Sequence, residues 1–134
     1  MDHVTAQRWL DDYVAAWISC DPGDIGALFN DEVVYRYHPH DEPVVGKVAV
    51  VASWLGDGAD GGSSPDEPGT FEAQYHPVAI DGEVVVARGV SSYRDTPYGP
   101  VVRVYDNCFL MRFDGAGRCA DFTEFYTLRP TTAE

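Results

Sequence analysis

Asn107-Cys108-Phe109-Leu110-Met111-Arg112-Phe113-Asp114-Gly115-Ala116-Gly117-Arg118-Cys119-Ala120-Asp121-Phe122-Thr123-Glu124-Phe125-Tyr126 reads as two alternating strands around a glycine-rich turn. Pairing Phe113 with Arg118 predicts Phe109 opposite Phe122, Asn107 opposite Glu124 and Tyr105 opposite Tyr126. Strand side chains alternate between faces, so these residues share one face. That face is aromatic apart from one amide and one carboxylate set together. A carboxylate on an apolar sheet face is costly unless it is paired or used. The stretch therefore predicts a pocket.

Working outward, the C-terminal half reads as strand. Thr70 to Ile80 and Glu83 to Arg94 flank Asp81-Gly82, a two-residue hairpin signal. Thr96-Pro97-Tyr98-Gly99-Pro100 makes the next turn, and Val101 to Phe113 and Arg118 to Leu128 complete a meander. The N-terminal half reads mainly as helix. Over residues 4 to 19, Leu10, Tyr13, Val14, Trp17 and Ile18 form one apolar stripe. Asp21-Pro22-Gly23-Asp24 restarts a helix, with Asp21 as cap and Pro22 at its first position. Asp31 to Tyr37 reads as a strand. A third helix is expected from Lys47 to about Leu55, with Val48, Val51, Ala52 and Leu55 on one face. The acidic, glycine-rich stretch 56–69 is a long loop, either disordered or a lid. Helices followed by hairpin-linked strands make an α+β layout in one domain spanning 1–134, with its core at about 4–128.

Composition narrows the function classes. The chain has 134 residues and a formal net charge of −13, which disfavours nucleic acid and anionic membranes as partners. No apolar run approaches the roughly 20 residues of a membrane span, and no signal peptide is evident. Cys20, Cys108 and Cys119 are odd in number and lack metal-type spacing, which fits free thiols in a reducing cytoplasm. His38, His40, Asp41 and Glu42 have no second cluster to complete a ligand set, so no metal is expected. No nucleotide-binding glycine motif or phosphate loop is present, so no cofactor is expected either.

Asp21-Pro22-Gly23-Asp24-Ile25, Leu28-Phe29-Asn30-Asp31-Glu32-Val33, Pro43-Val44-Val45-Gly46 and Phe113-Asp114-Gly115-Ala116-Gly117-Arg118 resemble motifs of the nuclear-transport-factor-2-like superfamily, and within it the SnoaL-like proteins. The resemblance covers roughly residues 4–128. It implies a cone, of the cystatin-like α+β barrel type. In it, a curved, mainly antiparallel sheet wraps three N-terminal helices around an apolar pocket. The fold hosts isomerases, cyclases, dehydratases, epoxide hydrolases and non-enzymatic binding proteins. It also implies a homodimer through the outer sheet face, where alternation puts Val102, Val104, Leu110 and Phe125. Against ketosteroid isomerases, the base aspartate falls on Tyr37, the oxyanion-hole tyrosine on Ala16 and the oxyanion-hole aspartate on Phe109. All three are replaced, which argues against steroid isomerase activity.

The candidate site follows. Glu124 is a general acid or base, oriented by Asn107, or else the two merely satisfy each other, or Arg103 or Arg88 neutralises the carboxylate. Tyr37 points inward as a hydrogen-bond donor, and His38 titrates where its strand leaves the sheet. Tyr13, Trp17, Trp54, Arg103, Tyr105, Phe109, Phe122 and Tyr126 are the candidate ligand contacts. A small hydrophobic molecule is the expected partner. Two functions stay open: a cofactor-independent isomerase, cyclase or dehydratase, and a binding or accessory protein without turnover.

Overall fold

The computed structural model describes residues 1–56 and 67–130. The acidic loop expected at 56–69 lies largely outside them. Helix α1 spans His3–Ser19, α2 Pro22–Gly26 and α3 Lys47–Trp54; strands β1 to β6 span Phe29–Arg36, Val44–Val45, Phe71–Asp81, Val84–Arg94, Val101–Phe113 and Cys119–Leu128. Local chemistry sets these boundaries. Asp2 caps α1 by accepting from the Thr5 N–H at 2.8 Å. Cys20 ends α1 in the left-handed region, at φ 54°, with its N–H on the Ala16 carbonyl. Asp21 restarts the chain as a helix by accepting from Gly23 and Asp24 N–H groups at 2.7 and 3.1 Å.

The six strands form one sheet in the order β2-β1-β6-β5-β4-β3. Every pairing is antiparallel except β1 with β6. The sheet is α+β and mixed, and it stays open rather than closing into a barrel, with β2 and β3 as its edges. Its curvature follows from distances. β1 and β3 lie four strands apart, about 19 Å on a flat sheet. Yet Tyr13 of α1 bonds the Tyr35 hydroxyl on β1 and meets the Tyr75 ring on β3 at 5.8 Å. The sheet must curl around α1 for one side chain to touch both.

The inner face holds the core. Trp9 meets Phe113 edge-on at 5.3 Å and donates its indole N–H to the Leu28 carbonyl at 3.0 Å. Phe122 stacks between Tyr13 and Tyr35, at 5.8 and 4.6 Å. Gly89 lies opposite Tyr75 in the β3–β4 ladder. A Cβ there would collide with the Gln74 carbonyl and the Tyr75 ring, so only glycine lets that ring cross the strand.

Two expectations need correction. The last hairpin is offset by two residues: Met111 pairs with Phe122, Phe109 with Glu124 and Asn107 with Tyr126. Asp114 closes a longer turn, accepting from the Ala116 and Arg118 N–H groups at 2.9 and 3.0 Å, and the ladder shifts register between Arg112 and Phe113. An offset of two keeps every side chain on its face. Helix α3 turns differently from the expected stripe: Val50 and Ser53 are buried, while Val48 is 85% exposed. Nearly every residue of that helix is apolar, so periodicity could not choose a face. No helix among the described residues is long and apolar enough to cross a membrane.

Candidate functional site

Between α1, α3 and the inner sheet face lies a cavity of about 190 Å³. Tyr13, Ala16, Trp17 and Cys20 from α1 and the cap after it form one wall. Tyr35 and Tyr37, at the end of β1, and Ser53 and Trp54 on α3 form a second. Tyr75, Ser91, Tyr93 and Glu124, from β3, β4 and β6, form the third. The strand residues reach it because all occupy inward positions of the pleat.

Glu124 is the charged group of this lining. Asn107 Nδ2 donates to its Oε2 at 2.9 Å, and Ser91 Oγ donates to Asn107 Oδ1 at 3.0 Å. The two contacts fix the amide: reversed, it would set a carbonyl oxygen against the carboxylate. Although offset in register, Asn107 and Glu124 meet diagonally across β5 and β6. Burial pushes the Glu124 carboxyl up to about 7, with the Asn107 hydrogen bond and the nearby His38 ring pulling it partly back. No lysine or arginine lines the cavity. Arg88 lies on the outer face, opposite Cys108 and near Asp106. Arg103 is exposed and sits over the Tyr93 ring, 5.0 Å from its centroid. Neither arginine neutralises Glu124.

The phenols around the carboxylate stay neutral. Burial raises the pKa of Tyr13, Tyr35, Tyr37 and Tyr75, and the charge of Glu124 adds to each rise. Tyr37 shares a 2.7 Å hydrogen bond with the buried Ser53 hydroxyl. The Trp54 indole N–H is buried beside the Tyr35 hydroxyl, whose pKa it holds back against burial, without completing a hydrogen bond of good geometry.

The other candidate residues divide by position. His38 stands outside the cavity lining, with Nδ1 against Asp41 Oδ2 at 2.8 Å and Nε2 against the Tyr126 hydroxyl at 2.7 Å. Asp41 thereby orients the ring toward Tyr126, a partner that sequence reading did not name. Tyr126 is 44% exposed and opens toward a groove of about 720 Å³, lined also by His38, Arg88, Asn107, Glu124 and Phe125. Tyr105 sits between the Tyr93 and Tyr126 rings, at 5.6 and 5.3 Å. Phe109 and Phe122 are fully buried and support the cavity from behind. Tyr13, Trp17, Trp54, Tyr37 and Glu124 line it directly, with Asn107 one bond removed. Ser91 and Ser53 were missed. For Ser91 the signal was there, since β4 alternation puts it inward beside Asn107. Ser53 depended on the unreadable phase of α3.

Comparisons with known proteins agree with this architecture. An NTF-2 like protein of unknown function from Burkholderia xenovorans LB400 superposes with a TM-score of 0.66 at 17% identity, over 97% of this chain and 88% of the other. A putative ketosteroid isomerase from Kribbella flavida DSM 17836 gives 0.66 at 13% identity, over 99% and 85%. An LEH-like epoxide hydrolase of M. tuberculosis gives 0.65 at 18% identity, over 93% and 84%. At these identities the likeness shows the fold, which is that of the NTF2-like superfamily. No curated protein matches the chain. The SnoaL-like domain model matches residues 10–122, and the chain belongs to that family.

Proposed function

We propose that this protein is a cofactor-independent enzyme that transfers a proton on a small apolar substrate, as an isomerase, cyclase or dehydratase. The observation that carries the reading is Glu124: a carboxyl on the cavity wall, free of any lysine or arginine, with a pKa of about 7. Such a group exists in both protonation states near neutrality, so it can take a proton and return it. Asn107 holds it in place, and the neutral phenol of Tyr37 supplies a donor toward a developing oxyanion. His38, held between Asp41 and the Tyr126 hydroxyl, lies close enough to Glu124 to favour its ionised form. A dry cavity of about 150 Å³ accommodates benzene. At about 190 Å³, this one suits a single-ring substrate better than a steroid-sized one.

A second reading is ligand binding without turnover. It is favoured by the residues at the isomerase positions: Tyr37 and Ala16 line the cavity and Phe109 is core, so the isomerase's own donors and base are absent. Glu124→Gln separates the two. It keeps the shape and one acceptor but cannot titrate. Under the enzymatic reading the variant folds and binds ligand, yet loses roughly 10²–10⁴-fold in turnover of any substrate found by metabolite pull-down. Activity within a few-fold of wild type would leave the binding reading. We also infer a homodimer through the outer sheet face.

A further inference from the structure

The chain has eight arginines and one lysine, and all nine lie among the described residues. None lines the cavity, and among the described residues its formal charge comes from Glu124 alone. Around the carboxylate the lining is largely aromatic, with Tyr13, Trp17, Trp54, Tyr75 and Tyr93 beside the aliphatic Ala16, Ile25 and Leu55. Aromatic faces attract cations, best when water is excluded. One of these rings already does so, since the Arg103 guanidinium sits over Tyr93. An anionic ligand would meet a buried carboxylate with no counter-charge, inside a chain of net charge −13 that repels it from a distance.

We propose that the cavity selects a small organic cation: a protonated or alkylated amine on a body of about one ring, its charge beside Glu124 and its body among the aromatic side chains. This rests on Glu124 facing the cavity and narrows the reading above: the substrate keeps an apolar body, as proposed there, and carries one nitrogen cation on it. The volume of about 190 Å³ matches a body of about one ring. A nitrogen cation beside Glu124 would also keep the carboxylate ionised at neutral pH, and so keep it a base.

Three probes of matched size and different charge test it: benzylammonium, benzyl alcohol and benzoate. Each is titrated at about pH 8, above the Glu124 pKa of about 7, while the Trp54 indole N–H resonance is followed to place the probe in the cavity. Benzylammonium should bind about tenfold tighter than benzyl alcohol, with benzoate weakest. In Glu124→Gln the advantage over the alcohol should shrink to a few-fold. Equal or tighter binding of benzyl alcohol by wild-type protein would overturn the proposal. The two readings fail separately. Charge preference with turnover intact in Glu124→Gln removes proton transfer by Glu124 and leaves the cation site. Lost turnover without any charge preference removes the cation site and leaves the proton transfer.

Discussion

At Glu124 the protein tolerates a carboxyl group that it does not neutralise. The cost is visible in pH dependence. The folded pKa of about 7 lies above the ordinary value of 4.5, so between them the folded state holds a proton that the unfolded chain has released. Stability should therefore fall as pH rises through that window, by up to about 3 kcal/mol once the group is fully ionised. The groups facing it are Asn107, His38 and the phenols of Tyr13, Tyr35, Tyr37, Tyr75 and Tyr126. The phenols stay neutral throughout. Urea unfolding at about pH 5 and pH 8 should show the drop in wild type and a flatter profile in Glu124→Gln. Equal slopes in both proteins would mean the carboxyl is hydrated in the folded state. The opposite sign holds at the acid end. Asp2, Asp41, Asp106 and Asp114 have lowered pKa values, so their contribution is lost as pH falls through the carboxylate range.

Among the elements, β3 and β4 show what a single backbone position contributes. Tyr75 reaches the cavity by lying across β4 where Gly89 has no side chain. Gly89→Ala should destabilise by about 1–3 kcal/mol, because the Cβ meets backbone as well as a ring. The added methyl should also displace Tyr75 and weaken any ligand. An unchanged denaturation midpoint would show that the ladder can relax. The glycine was readable as an interruption of a strand, but what it made room for was not. The same divide runs through the molecule. Strand parity was legible because a period of two is insensitive to an offset of two, so Asn107 and Glu124 meet despite the longer Asp114 turn. Helix phase in α3 was not, because a uniformly apolar segment has no polar face to point outward. The two-residue strand β2 was too short to leave a pattern, and parity puts Arg103 on the face of Asn107 without showing that its guanidinium settles on the Tyr93 ring.

For the whole molecule, the outer sheet face carries the proposal of a dimer. Val102, Leu110 and Phe125 are 39%, 44% and 41% exposed there, and Val104 lies among them, half-buried. Exposed apolar side chains on one face are a common mark of an interface. Val104→Asp should convert a sedimenting dimer to monomer without loss of secondary structure. An unchanged mass in a folded variant would remove the interface from this face.

The parallel join between β1 and β6 has a kinetic meaning. Strands β3 to β6 are linked by short turns and can assemble by local zippering, whereas Phe29 must find Cys119 and Val34 must find Asp121 across most of the chain. Closing so large a loop carries an entropic penalty that only later contacts repay. The two halves also contribute opposite walls of the cavity: Tyr35, Tyr37 and Trp54 from one, Tyr75, Ser91 and Glu124 from the other. A chain whose meander has formed but whose N-terminal half has not docked therefore has a carboxylate open to water and nothing to hold a ligand against it. A ligand that needs both walls binds only the docked state, so it is expected to stabilise that state by mass action.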